Sequence, residues 1–314
     1  MIMNPQRGEI QEEKLSEIRQ GGVYTICCFV YDCPCEAKSS ICPRGFFSLF
    51  IQAVYGIELA KRYGIPYYVD FGSHSYLYTD PSRREQNFWN YYLEQTGVAP
   101  AYLSTASFVR NSFSEVYPYR IWRRSHFLKL HRSVISELQF SDSLKRQFEE
   151  KKLFYGANKV LGVQIRRTDH GQEIEPVGLA VFLSLIDRKL DKFDYLFVAT
   201  DDSNLIELLS QRYTDKLIYN KAIRSDNHEA VHSNLGIENR YELGLEALID
   251  CYCLSLCSHS ILIQSNISYA ALLFNPKLSY TLLEKAEFVP KLKRSVQYFL
   301  DEIRMRVSSW DGIS

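Results

Sequence analysis

The sequence predicts an α/β fold: two doubly wound halves facing a central cleft, with a helix at the C-terminal end. Three observations carry this. Short apolar, β-branched runs alternate with stretches of helical spacing along the chain. The 314 residues suffice for two domains of ordinary size. Motifs rich in Arg, Asp and Ser follow directly on apolar runs, where open α/β sheets bind their ligands.

Residues 23–31 (VYTICCFVY) are an unbroken apolar run and predict a buried strand. Asp32 to Gly45 carries Pro34 and Pro43 and reads as a loop. Apolar residues recur at helical spacing from Phe46 to Tyr63, with Gly64 as the stop. IPYYVDF (65–71) predicts a second strand, which completes a βαβ unit with a right-handed crossover. NFWNYYLEQ (87–95) predicts a helix. FSDSLKRQFEEKKLFY (140–155) predicts a charged amphipathic helix capped by Ser141 or Asp142. A second alternating run begins after it, so the domains are expected at 1–155 and 156–314.

In that second run KVLGVQI (159–165) predicts a strand and RRTDHGQEIEP (166–176) a polar loop. A helix over 177–191, a strand over 194–200 and a helix over 201–213 follow. KLIYN (216–220) predicts a short strand, and 222–238 a long polar loop. Residues 240–257 predict a helix, 260–264 a strand, 265–275 a helix, 280–284 a last strand and 287–306 the C-terminal helix. Two Rossmann-like halves without GxGxxG suggest the GT-B architecture, with a ligand held between them.

Composition removes some function classes. Lys plus Arg number 37 and Asp plus Glu number 37. Such balance argues against a broad grip on nucleic acid or an anionic membrane. A basic patch at Arg120, Arg123, Arg124, Lys129 and Arg132 reads as a solvated helix face, or else as a surface for acceptor or phosphate. No stretch reaches the roughly 20 apolar residues of a membrane helix. The N-terminal MIMNPQRGEIQEEKLSEIRQGG lacks an apolar signal core, so a cytoplasmic location is expected, or a domain separated from an anchor. The eight cysteines do not fall into paired CxxC units. They are expected to be reduced structural thiols; the alternatives are a disulfide among Cys27, Cys28, Cys33, Cys35 and Cys42, or a metal.

Gln164, Arg166, Arg167, Thr168 and Asp169 follow directly on an apolar strand. Adjacent arginines at a strand end suit an anion, because a guanidinium fork matches phosphate oxygens. The competing reading pairs one of them with Asp169 or another carboxylate. Asp201 and Asp202 end the next strand; they would bind a base or ribose, or cap the following helix. No third carboxylate or His stands at a spacing suited to a metal, so none is expected. Ser265, Asn266 and Ser268 lie where a strand turns into a helix, whose free N–H groups favour phosphate. Glu173 or Glu175 would deprotonate an acceptor hydroxyl if desolvation raises its pKa; the alternative is an exposed loop carboxylate.

The blocks LGVQIRRTD, FVATDD, NRYELGLEALIDCYCLS and IQSNISYAALLFN occur in that order. They resemble the α-1,6- and protein O-fucosyltransferase superfamily, including bacterial nodulation fucosyltransferases. RGFFSLFIQAVYGIELAKRYGIPYYVDF and NFWNYYLEQ are similar to the opening blocks of bacterial members. The resemblance covers roughly residues 42–95 and 160–285. It implies inverting, metal-independent transfer of fucose from GDP-fucose to a glycan or protein hydroxyl, without a cofactor. Arg166 and Arg167 would hold the β-phosphate, and Asp169 would orient their loop. Asp201 and Asp202 would support the nucleotide site, Asp250 would face the guanine, and Ser265 would touch the diphosphate. Gly45 and Phe46 would face the sugar across the cleft. Departures are Gln164 for the family's His and His170 for its Lys. The alternatives are another nucleotide-sugar donor on the same scaffold, or a non-catalytic protein that binds nucleotide or glycan.

Overall fold

A computed structural model describes residues 9–28, 41–42, 44–72, 76–83, 85, 87–112, 115, 120–167, 177–226 and 239–283. The expected C-terminal helix at 287–306 lies outside them, as do Cys33 and Cys35.

Two parallel sheets organise the chain. The first has the order β2-β1-β3, from β1 (Gly22–Ile26), β2 (Tyr67–Val69) and β3 (Ser107–Arg110). The second has the order β6-β5-β4-β7-β8, from β4 (Val160–Ile165), β5 (Tyr195–Thr200), β6 (Leu217–Ile218), β7 (His259–Ile263) and β8 (Tyr280–Leu283). Every pairing in both is parallel. Parallel strands are buried on both faces, which is why β4 shows no alternation: all six of its residues are buried.

The helices are α1 (Glu12–Arg19), α2 (Phe46–Tyr63), α3 (Pro100–Leu103), α4 (Arg124–Ser133) and α5 (Asp142–Ala157) around the first sheet and the junction. Around the second are α6 (Leu179–Lys189), α7 (Ser203–Tyr213), α8 (Arg240–Leu256) and α9 (Asn266–Phe274). Helix α2 ends as its sequence dictates. Gly64 takes a left-handed φ of 61° at its C-cap, and the Gly64 N–H bonds the Ala60 or Lys61 carbonyl.

Three expectations changed. Within the run 23–31 the described residues are strand only to Ile26, and 29–31 lie outside the described residues. Beyond it the Cys27 N–H bonds Asn111 Oδ1 at 2.6 Å rather than a neighbouring strand. The helix expected at 87–95 is a single 3-10 turn, Phe88–Tyr91, capped by Asn87, which accepts from Trp89 N–H. Phe88, Trp89, Tyr91 and Tyr92 are all buried, and one stripe of an α-helix cannot bury four neighbouring rings. Helices α1 and α3 and strand β3 were not expected. In β3 only Val109 of four residues is buried, so the edge strand carries no apolar signature.

Two apolar cores result. One fills the space between the outer face of the second sheet, α6 and α7, around Val163, Ile186, Val198 and Leu209. The other runs from Ile10 to Leu278 and joins both sheets through α2, α4, α8 and α9. Phe50 of α2 stacks on Trp89 at 6.0 Å and on Phe274 of α9 at 5.9 Å. Phe127 of α4 meets Tyr269 of α9 at 5.0 Å, and Phe148 of α5 stacks on Tyr252 of α8 at 3.9 Å. Among the described residues no helix is long and apolar enough to cross a membrane.

Candidate active site

Strand register builds the site. Gln164 of β4 lies opposite Ala199 of β5, and Ile165 opposite Thr200. The next residues along each chain, Arg166 and Asp201, therefore emerge side by side at the carboxyl edge of the sheet. Arg166 Nε stands 3.8 Å from Asp201 Oδ2, each side chain about a quarter exposed. Asp201 Oδ1 accepts from the Arg167 N–H at 3.0 Å, and Arg167 Nε lies 3.7 Å from Asp202 Oδ2. Both ion-pair distances exceed the 2.7–2.9 Å of a charge-assisted hydrogen bond.

Arg166 and Asp201 line a cleft of about 200 Å³ at this edge, with Gln164, Asp250 and Asn266. Its opposite wall comes from the first half: Gly45, Phe46, Phe47, Ser48 and Tyr78. Gly45 is the N-cap residue of α2, and Phe46 its first residue. Burial of Phe46 against Phe47, Tyr78, Phe88 and Tyr92 fixes that wall.

Behind the cleft a serine pair is locked to Gln164. Its Oε1 accepts from Ser265 Oγ at 3.1 Å and Ser268 Oγ at 3.0 Å, and all three residues are buried. Ser265 also caps α9, accepting from the Ser268 N–H at 3.2 Å. This network aims the start of α9, whose Asn266 and Ile267 reach the cleft. A helix start carries partial positive charge, so Arg166 and α9 give the cleft anion-attracting groups.

Two carboxylates of α8 line the same cleft. Asp250 and Glu246 lie four residues apart on α8 and hence on one helical face. Burial lifts the Asp250 carboxyl from its ordinary 3.8 to about 6; Glu246 adds to the rise, while the Asn220 amide and Arg224 work against it. Asn220 Nδ2 donates to Asp250 Oδ1 at 2.7 Å, and Lys151 Nζ donates to Asn220 Oδ1 at 2.6 Å. Burial raises Glu246 as well, opposed by the Ile223 N–H it accepts at 2.8 Å. Arg224 fixes the adjoining segment by donating to the Thr200, Ala222 and Asn220 carbonyls.

Gly45, Phe46, Gln164, Arg166, Asp201, Asp250 and Asn266 are thus brought together around the cleft. Ser265, Ser268 and Asp202 stand behind it as supports. Asp202 caps α7, accepting from the Asn204 and Leu205 N–H groups at 2.9 and 3.2 Å. Arg167 flanks the cleft without lining it. Asp169, Glu173 and Glu175 lie outside the described residues. Glu246 and Tyr78 were missed; the four-residue spacing from Asp250 could have found Glu246. Of the basic patch, Arg124, Lys129 and Arg132 are exposed on α4, where Lys129 pairs with Glu58 at 2.9 Å, and none lines the cleft. Among the described residues no group of three or more His, Cys, Asp or Glu side chains could hold a metal ion. A larger open hollow lies near the amino ends of β4 and β5, lined by Lys159, Asp194, Tyr195 and Lys216. It holds none of the motif residues.

No protein-family model matches the chain, and no curated protein matches it in sequence. Solved structures do match. NodZ alpha-1,6-fucosyltransferase co-crystallized with GDP aligns at 14% identity and a TM-score of 0.50, over 80% of this chain and 92% of that one. The same enzyme soaked with GDP-fucose aligns at 13% identity and 0.50, over 81% and 92%. Fucosyltransferase NodZ from Bradyrhizobium aligns at 14% identity and 0.49, over 80% and 92%. The chain therefore has the GT-B fold of the NodZ fucosyltransferase.

Proposed function

We propose that the chain is an inverting, metal-independent fucosyltransferase that moves fucose from GDP-fucose to a hydroxyl of a glycan or protein. The observation that carries this reading is the lining of the cleft, which combines Arg166 and the α9 start with the carboxylates of Asp250 and Glu246. Guanosine diphosphate presents complementary groups, an anionic diphosphate and a base rich in N–H donors. The likeness to NodZ, a structure of which was obtained with GDP-fucose, supports the choice of donor.

In this reading residues 156–314 bind the nucleotide sugar and residues 1–155 present the acceptor side. The acceptor oxygen attacks the anomeric carbon from the face opposite GDP, and the C–O bond to the diphosphate breaks. Negative charge grows on the β-phosphate, where Arg166 stabilises it, with Arg167 adding charge from the flank and Ser265 acting through the α9 start that it caps. Asp169 orients the arginine loop, and Asp201 and Asp202 support it. Asp250, ionised, accepts from the guanine. Glu173 or Glu175 takes the proton from the acceptor hydroxyl. Asn266 and Gln164 set the floor of the diphosphate site, Ser268 supports Gln164 from behind, and Gly45 and Phe46 face the sugar.

A donor screen by mass spectrometry tests this. GDP-fucose should yield free fucose slowly without acceptor, at a rate that EDTA leaves unchanged. Release from a UDP- or ADP-sugar with none from GDP-fucose would replace the donor. Release from no donor, with nucleotide still bound, would leave a binding protein.

A further inference from the structure

All six described cysteines are buried thiols, but only one pair brings two sulfurs together. Cys28 Sγ and Cys42 Sγ are 3.4 Å apart, with the residues 4% and 0% exposed. Both are pinned to the same residue. The Cys28 N–H bonds the Tyr76 hydroxyl at 3.3 Å, and Cys42 forms a parallel bridge with Tyr76. The sulfurs are thus held by backbone as well as packing. The other described thiols are placed differently: Cys257 Sγ donates to the Cys253 carbonyl at 3.2 Å, and Cys251 Sγ to the Ile267 carbonyl at 3.6 Å.

We infer that Cys28 and Cys42 are a modification site: a dithiol that hydrogen peroxide converts reversibly into a disulfide. The pair is asymmetric as such chemistry requires. The Cys28 thiol donates to Cys42, and the Arg44 N–H and guanidinium add to the effect, bringing the Cys42 thiol down to about 7. Cys28, the donor, is raised. Cys42, the thiol held lower of the two, is the nucleophile. Its sulfur attacks a peroxide oxygen, the O–O bond breaks, hydroxide leaves, and a sulfenic acid remains. Cys28 Sγ then attacks Cys42 Sγ. The S–S bond forms, the S–O bond breaks, and water leaves with the Cys28 proton. Overall two thiols lose two electrons, and one peroxide becomes two waters.

The location gives the bond a consequence. Cys42 lies three residues before Gly45, the cleft-lining N-cap of α2. Arg44 between them donates to Gln52 Oε1 at 2.7 Å, inside α2. A covalent tie from the end of β1 to this segment fixes the entry of α2 and with it one wall of the cleft.

Peptide mapping of the full chain under non-reducing conditions tests the inference. Trypsin cuts after Lys38 and Arg44, so Cys28 and Cys42 fall on separate peptides. After peroxide treatment of the folded protein, those peptides should be joined with loss of two hydrogens. Dithiothreitol should part them, and fragmentation should place the link at Cys28. The link should survive in C27S and in the C33S/C35S double variant. A link through Cys27, Cys33 or Cys35, or separate peptides throughout the peroxide series, would overturn the inference. Fragmentation of the wild-type link decides the point even where a Cys28→Ser variant does not fold.

Discussion

Arg166 leaves β4 beside Asp201 because β4 and β5 pair in parallel with Ile165 opposite Thr200. Its Nε stays 3.8 Å from the carboxylate, so the guanidinium is oriented by Asp201 while it lines the cleft. A cation that acts on a developing diphosphate charge contributes to turnover more than to folding. Arg166→Ala should lower kcat by about 100- to 1000-fold, with an unchanged far-UV circular dichroism spectrum. Wild-type turnover in that variant would remove the guanidinium from the mechanism. Asp250 makes a separate prediction about pH. Its carboxyl rises from 3.8 to about 6 on folding, so the native state holds the proton more tightly than the unfolded chain. Its stabilising contribution is complete below about pH 4 and lost as pH rises through about 6. At roughly 1.4 kcal/mol per pH unit the loss is about 3 kcal/mol. Asp250→Asn should therefore gain about that much stability relative to wild type between pH 4 and pH 7 in denaturant titrations; parallel curves would contradict it. Arg166 and Asp201 were legible because each combines a charge with a position at a strand end, whereas Asp250 entered only through the resemblance to the fucosyltransferases. The roles of Ser268 and Gln164 were not legible, since their hydrogen bond crosses 104 residues of sequence and depends on how β4 and β7 pair.

At the scale of elements, capping and close approach decide where helices begin and how they dock. Asp202 satisfies two free N–H groups of α7 and is itself 1% exposed. Asp202→Ala should cost about 0.5–2 kcal/mol, read as a fall in the denaturation midpoint. Helix α8 docks on the 3-10 turn where the Tyr92 hydroxyl donates to the Tyr241 carbonyl at 2.7 Å. A Cβ on Gly244 would lie 2.3 Å from that hydroxyl, so Gly244→Ala should destabilise by about 1–3 kcal/mol. A neutral effect would show that α8 is free to shift. Helix α2 was legible from Phe46 to Tyr63 because its apolar spacing and Gly64 agree. The turn at 88–91 was not. Rings that follow one another in sequence satisfy a helical count, yet here they pack on both sides of a loop. Strand β3 was missed for the opposite reason: an edge strand with three exposed residues has nothing apolar to announce it.

For the whole molecule, the larger core passes through both sheets' layers rather than stopping between them. Phe50, Trp89 and Phe274 form one stack drawn from α2, the 3-10 turn and α9. The two halves should therefore unfold together, with calorimetric and van't Hoff enthalpies in agreement. Phe50→Ala, costing about 3–5 kcal/mol, should lower that single transition without splitting it. Two resolved transitions would show that the cleft walls are energetically separate. The same coupling brings Phe46 and Asp250 to one cleft, which is a property of the assembled chain.

The central claim is that this cleft grips a nucleoside diphosphate with guanine at Asp250 and phosphate at Arg166. Isothermal titration of GDP, UDP and ADP into the wild type and Arg166→Ala tests it most directly. The account predicts that GDP binds most tightly, that its affinity falls as pH drops through about 6 with Asp250 protonation, and that Arg166→Ala weakens it at least about tenfold, the worth of one charge-assisted contact. Equal binding of the three nucleotides, or GDP affinity indifferent to Arg166, would contradict it.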